Sequence, residues 1–105
     1  MPQIEHLHAL EAAPHANVFT EHEPKTVKLE LDADERVPEH DHPGREVVLC
    51  PLDGAIRLEL DGEPHALETG DVARFDGAQG IAQIAEAPST ALLVLAKKPT
   101  ETRGQ

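Results

Sequence analysis

Aromatic residues are nearly absent from this sequence. Phe19 and Phe75 are the only two among 105 residues, and there is no tryptophan or tyrosine. A hydrophobic fraction of 39% is still sufficient for one globular domain with a single modest core. We therefore expect a core built from valine, leucine, isoleucine and alanine.

Cysteine and long apolar segments are also scarce. Cys50 is the single cysteine, which excludes an intrachain disulfide framework and fits a reducing cytoplasm. The N-terminal residues show neither the basic nor the apolar segment of a secretory signal. The longest apolar run, residues 91–96, is too short to cross a membrane. We expect a cytoplasmic protein.

Positive charge is the third scarce feature. Nine lysines and arginines stand against 20 aspartates and glutamates, which gives a formal net charge of −11. Such a surface repels nucleic acid and anionic membranes, so we expect neither as a partner. Adaptation to high salt, in which acidic side chains keep the protein hydrated, is favoured over an ordinary acidic domain because lysine is so rare.

Short segments with period-two alternation dominate the chain between residues 18 and 98. Val27, Leu29 and Leu31 alternate with charged residues, which is typical of a half-buried strand. Asp61-Gly62, between two further alternating segments, is a strong hairpin signal. No segment in this range has the pattern of a long amphipathic helix. About eight short strands with frequent turns predict an all-β sandwich or barrel.

One polar segment, residues 39–46, has the composition of a binding site. Side chains alternate along a strand, so His40 and His42 are expected to point the same way. Glu46 keeps that parity if the strand resumes after Pro43-Gly44. Two imidazoles and one carboxylate form the ligand set of non-haem iron sites. The spacing predicts a metal site at these three residues; the alternative is a pair of surface histidines on a polar loop.

This segment and the residues after it resemble the cupin superfamily. Two histidines separated by one residue, then a glutamate and a later glycine, are similar to the first cupin motif, here at His40, His42, Glu46 and Gly54. The stretch 54–62 looks like the family's glycine-started strand and hairpin, and Gly70-Asp71 looks like the turn that opens its second motif. The likeness indicates a small single-domain cupin.

The resemblance implies a fold, a cofactor and an assembly. The fold is a double-stranded β-helix, or jelly-roll, barrel over residues 25–98, with an N-terminal arm at 1–24 and a disordered tail at 99–105. The cofactor is a divalent metal such as iron, manganese, nickel or zinc. If the protein is an enzyme, the resemblance implies oxygenase or isomerase chemistry. Cupins commonly dimerise through their N-terminal strands, so it also implies a homodimer to which the arm contributes.

The sequence departs from the family pattern in two places. The interval from Glu46 to Gly54 is one residue longer than usual, so either Glu46 or Val47 takes the ligand position. We prefer Glu46 because it alone has ligand chemistry. The position of the family's fourth ligand, a histidine, holds Ile81. Four residues are candidates for the cavity wall: Arg74, Gln79, Ile81 and Gln83.

Arg74 is open to two interpretations: an ion pair with an acidic neighbour, or the binding of a substrate carboxylate. For the whole protein, the leading hypothesis is a small cupin that binds a divalent metal and a small polar molecule in its barrel. The alternative is a metal-free, non-catalytic ligand-binding barrel or a dimeric structural barrel. The sequence has no Ser-His-Asp order, no glycine-rich phosphate loop and no CxxC pair, which argues against nucleophilic and nucleotide chemistry.

Overall fold

Nine short strands make up most of the computed structural model, which describes residues 3–19 and 23–99. The strands are β1 His15–Phe19, β2 Lys25–Leu31, β3 Arg36–His40, β4 Arg45–Asp53, β5 Ala55–Leu60, β6 Glu63–Glu68, β7 Ala73–Asp76, β8 Ile81–Ala85 and β9 Ser89–Lys97. A single 3₁₀ turn, Leu7–Ala9, precedes them. The strands form a larger sheet, in the order β1-β2-β9-β4-β7, and a smaller sheet, in the order β3-β8-β5-β6. The prediction of an all-β fold is confirmed.

The turn between β5 and β6 is the hairpin that the sequence predicts. Asp61 and Gly62 both have positive φ, 50° and 85°, and the flanking Leu60 and Glu63 are paired. Two consecutive positive φ values are what a two-residue hairpin of matching twist requires, which explains the Asp-Gly pair. Strand β6 of this hairpin is one edge of the smaller sheet, and β3 is the other.

Inward side chains from both sheets form one apolar core. Its members are aliphatic apart from Phe75: Leu29, Leu31, Val47, Leu49, Ala91, Leu93 and Leu95 from the larger sheet, with Ile56, Leu58, Ile81 and Ala85 from the smaller one. Because both sheets contribute to the same core, their inner faces oppose each other. The space that these side chains leave unfilled forms the cavity described below.

Alternation along β4 sends neighbouring side chains to opposite faces of the larger sheet. Val47 and Leu49 are buried in the core, whereas Glu46 is only half-buried. The pairing with β9 agrees, since Val47 is opposite Leu95 and Glu46 is opposite Ala96. Directly paired residues lie on the same side of a sheet. Val47 therefore faces inward and Glu46 faces outward.

Lys28 fixes the N-terminal segment on the outer face of the larger sheet. Its side-chain Nζ donates hydrogen bonds to the carbonyls of Leu7 and Leu10, at 2.6 and 2.8 Å. The residue is only 3% exposed, because the N-terminal segment covers it. Charge-assisted hydrogen bonds to two carbonyls offset the cost of burying an ammonium group.

The structure divides the N-terminal region differently from the predicted boundary at residue 25. Residues 15–19, predicted as part of an arm, form β1 and pair with β2 along its free side. The larger sheet therefore begins at His15, before the predicted boundary. Of the predicted tail at 99–105, residues 100–105 lie outside the described residues.

Candidate functional site

A cavity of about 380 Å³ lies between the two sheets. Its size falls within the range of small-molecule sites in proteins. The apolar part of its wall consists of Val27, Leu29, Val37, Leu93 and Leu95. The polar part consists of His15, Asn17, Lys25, His40, His42 and Gln83. Among these lining residues there is no aspartate or glutamate, although the chain has 20 of them.

The end of β3 brings two histidines to the cavity wall. His40 is its last residue and is paired with Ile81 of β8. The backbone amide of His42 donates to the carbonyl of Gly77 at 2.6 Å, which fixes the loop beyond the strand. Both side chains line the cavity, with ring centroids 4.9 Å apart in an edge-to-face arrangement. The structure thus brings together the two imidazoles that strand parity places on one side.

The protonation of the histidine pair follows from its surroundings. His40 Nδ1 lies 3.0 Å from the carbonyl of Pro38, and because a carbonyl only accepts, this nitrogen is the donor. Burial lowers the pKa of His42, and the nearby charges of His40 and Lys25 lower it further. At neutral pH the His42 side chain is therefore an uncharged imidazole that can donate and accept.

Glu46, the third predicted metal ligand, does not join the histidines. Its carboxylate Oε2 lies 3.3 Å from Nε of Arg74 on the outer face of the larger sheet. The Arg74 side chain is 74% exposed, so it forms an ion pair with an acidic neighbour and does not line the cavity. The inward position belongs to Val47. The reason is that β4 begins at Arg45, after a turn, and its own pairing with β9 sets which side chains point inward.

Two further predicted wall residues lie elsewhere. Gln79 is in the loop after β7, where its Nε2 donates to the carbonyl of Asp76 at 3.0 Å. Ile81 is fully buried and belongs to the apolar core beside His40. Neither is among the residues that line the cavity.

Gln83, by contrast, is a cavity residue with an unusual environment. It lies on β8 between Val37 of β3 and Leu58 of β5, and it is only 2% exposed. Its side-chain Oε1 has no hydrogen-bond partner among the described residues. A buried acceptor without a partner costs about 1–3 kcal/mol. A donor group on a bound molecule would remove this cost.

Three polar residues of the cavity wall escaped the sequence prediction: His15, Asn17 and Lys25. The register explains their direction, because His15 pairs with Leu29 and Asn17 with Val27, both of which point inward. Lys25 is two residues before Val27 on the same strand. Because every second residue of a strand faces the same way, Lys25 is expected to point inward together with Val27 and Leu29. This spacing is the sequence signal that could have identified it.

The donor set does not fit the metal centre that the cupin resemblance implies. Val47 and Ile81 are apolar, and they replace the carboxylate and the fourth ligand. No group of three or more histidine, cysteine, aspartate or glutamate side chains within residues 3–19 and 23–99 is arranged to hold a metal ion. Catalytic metal sites in proteins typically use three protein ligands. His40 and His42 alone fall short of that number.

An all-β barrel whose two sheets enclose a ligand-sized cavity defines the class to which this chain belongs. A comparison with protein families matched the cupin domain over residues 27–87. That match spans more than half of the chain, and the protein belongs to the cupin family. The jelly-roll barrel implied by the sequence resemblance is confirmed.

Solved structures agree with this assignment. An RmlC-like cupin from Desulfovibrio desulfuricans is similar over 91% of this chain and 96% of its own, with a TM-score of 0.75 and 20% identity. A cupin from Bacteroides fragilis is 28% identical over 75% of this chain and 70% of its own, with a TM-score of 0.64. KdgF from Halomonas sp. is 20% identical over 81% and 80% of the two chains, with a TM-score of 0.70. These likenesses concern the fold.

The comparison with curated proteins gave no match. Within the part of the chain that the structure describes, no helix has the length and apolar content needed to span a bilayer.

Proposed function

We propose that this cupin binds a small organic molecule in its barrel without a resident metal ion and without catalysing a reaction. The observation that carries this proposal is the Oε1 atom of Gln83, which is buried against the cavity and has no partner among the described residues. A polar group in that condition is stabilised by a ligand that donates a hydrogen bond to it.

The rest of the wall supports the same function. Five aliphatic side chains give the cavity a mostly apolar surface, while a few polar groups converge on it. This combination is typical of small-molecule sites, in which apolar contacts supply affinity and polar groups fix orientation. The neutral His42 side chain adds both a donor and an acceptor without adding charge.

The binding of 1-hexanol, a neutral molecule with one hydroxyl group, tests this proposal. We expect saturable NMR shift changes in the methyl groups of Leu93 and Leu95 and in the side-chain amide of Gln83. Replacement of Gln83 by leucine is expected to weaken binding about tenfold, because one hydrogen bond to a buried group is lost. Gln79→Leu is the matched control and should bind like the unchanged protein, since Gln79 lies outside the cavity. Absence of a saturable shift in the cavity methyl groups would contradict the proposal.

A metal held by His40 and His42 is the competing possibility, favoured by the 4.9 Å separation of their ring centroids. Metal analysis of protein purified without a polyhistidine tag separates the two. We expect a content well below one equivalent that does not change in His40→Ala. A stoichiometric metal that disappears in this variant would overturn the metal-free proposal and favour metal-dependent chemistry.

We also propose that the protein is a homodimer without nucleic acid or membrane as partner. The half-buried side chains of Leu92, Val94 and Val48 support this, since they form an apolar strip on the outer face of the larger sheet. Sedimentation velocity tests the assembly, and a monomer at micromolar concentration would contradict it.

A further inference from the structure

The charge of the cavity differs from that of the surrounding protein. The chain has a net charge of −11, yet among the described residues of the cavity wall Lys25 is the only charged one apart from the titratable histidines. A wider, open groove of about 580 Å³ near the N-terminal segment has the opposite character, with Glu11, Glu30, Asp32 and Glu35 on its wall. In the part of the chain that the structure describes, carboxylates are therefore absent from the cavity and concentrated at the groove.

Lys25 is placed to hold an anion at the mouth of the cavity. It is the first residue of β2, it is exposed, and it is paired with Leu95, a residue of the cavity wall. Glu23, two residues earlier, is paired with Arg45 instead. Arg45 Nη1 donates to Glu23 Oε1 at 2.6 Å, and Nη2 donates to Oε2 at 3.2 Å. None of the ion pairs formed among the described residues includes Lys25.

Beyond Lys25 the wall becomes apolar and then ends at a buried acceptor. Val27 and Leu29 follow Lys25 on the same face of β2, and Leu93 lies opposite Val27 on β9. Gln83 approaches the cavity from the other sheet, and its Oε1 requires a donor. The three kinds of surface therefore match three parts of one molecule: an anionic group, an apolar body and a hydroxyl or amine donor.

We infer that the ligand is a small amphipathic organic anion whose charged group binds Lys25, whose hydrocarbon body contacts the aliphatic wall and whose hydroxyl donates to Gln83. This inference rests on the proposed function, since it names the class of molecule that the same cavity binds. Ion pairing at Lys25 and burial of a hydrocarbon body act together, so a molecule with both features is preferred over one with either alone.

Three matched probes test the inference: 6-hydroxyhexanoate, its methyl ester and hexanoate. With the Leu93 methyl shifts as readout, we expect 6-hydroxyhexanoate to bind about tenfold more tightly than the ester, because only the acid pairs with Lys25. It should also bind about tenfold more tightly than hexanoate, which lacks the donor for Gln83.

Two variants with the same change in charge locate the anionic contact. Lys25→Gln should abolish the preference for the acid over the ester. Lys98→Gln should preserve it, because Lys98 pairs with Asp76 outside the cavity. Raising the salt concentration should reduce the preference in the unchanged protein, since exposed ion pairs are screened.

The outcomes separate the inference from the proposal beneath it. Equal binding of acid and ester, or an acid preference that survives in Lys25→Gln, would overturn the anionic class while leaving small-molecule binding intact. Failure of 1-hexanol and all three probes to shift the cavity methyl groups would overturn both. A preference for acid over ester that Lys25→Gln alone removes, together with weaker binding of hexanoate, would establish the class.

Discussion

The two faces of the larger sheet are built from the same strands and have opposite chemistry. The inner face presents mainly aliphatic side chains to the cavity, with His15, Asn17 and Lys25 near its edge, and no carboxylate among the described residues. The outer face carries the ion pair of Glu46 and Arg74 and the buried ammonium of Lys28. Because side chains alternate along a strand, a shift of one residue transfers a group from one chemistry to the other. Glu46 and Val47 show how much depends on that shift.

The largest effect is expected when a carboxylate is placed on the inner face of the larger sheet, which tests whether the two faces differ as described. We expect Val47→Asp to lower the free energy of unfolding by about 3–5 kcal/mol, since the new charge is buried without a partner. Glu46→Gln is the control one residue away. It should change stability by less than about 0.5 kcal/mol, because an exposed ion pair contributes little. Urea denaturation of both variants measures the difference, and similar losses would mean that the assignment of faces is wrong.

The second effect tests whether the outer face is a solvated surface throughout. Lys28→Met keeps the length of the side chain but leaves the carbonyls of Leu7 and Leu10 without their donor. We expect a loss of about 1–2 kcal/mol, because buried hydrogen bonds to a charged group are removed. The amide of Leu10, which donates to Leu7 at 3.1 Å, should exchange with solvent faster.

Lys98→Met serves as the comparison for Lys28, since its ion pair with Asp76 is exposed. It should cost less than about 1 kcal/mol. Equal losses in the two lysine variants, or unchanged exchange at Leu10, would contradict the anchoring role of Lys28.

The smallest expected effect is the change in folding stability at acidic pH. Burial depresses the pKa of His42 below the 6.5 of a free histidine, so the unfolded chain binds protons more readily than the folded one. Its contribution to stability is therefore complete above pH 6.5 and is lost as the pH falls through the lower, folded pKa.

Carboxylates on the outside respond at lower pH. Hydrogen bonds from Arg45 and Lys98 hold the pKa values of Glu23 and Asp76 below 4.5 and 3.8, respectively, so the stability they add is lost only below those values. NMR titration of the His42 ring, together with denaturation at each pH, checks both windows. A His42 pKa at or above 6.5 would contradict the burial of its imidazole.

The sequence revealed the fold where alternation was regular and turns were chemically distinctive. Val27, Leu29 and Leu31 identified β2, and Asp61-Gly62 identified a hairpin because few residue pairs accept two positive φ values. Strand β1 was missed because its inward residues, His15 and Asn17, are polar, which inverts the usual pattern of apolar inward and polar outward.

The site was predictable only over short separations in the chain. His40 and His42 lie on one side because little chain separates them, whereas Glu46 follows a turn, and its direction is set by pairing with a strand about fifty residues later. The same limit applies to Gln83. The sequence pattern places Gln83 on a strand. That its Oε1 has no hydrogen-bond donor nearby depends on how the two sheets pack, which the sequence pattern does not show.

The position of β9 has a consequence for how the chain acquires its structure. This strand lies in the middle of the larger sheet, between β2 and β4, although all other strands precede it in the chain. The hairpin of β5 and β6 closes locally and can form on the microsecond scale, about 1–10 μs for typical hairpins. The larger sheet, however, must wait for contacts between residues 25–31 and 89–97, which are far apart in sequence and slow to form. Until β9 inserts, β2 and β4 each have an unpaired edge. During this period the chain is most prone to pair with another molecule.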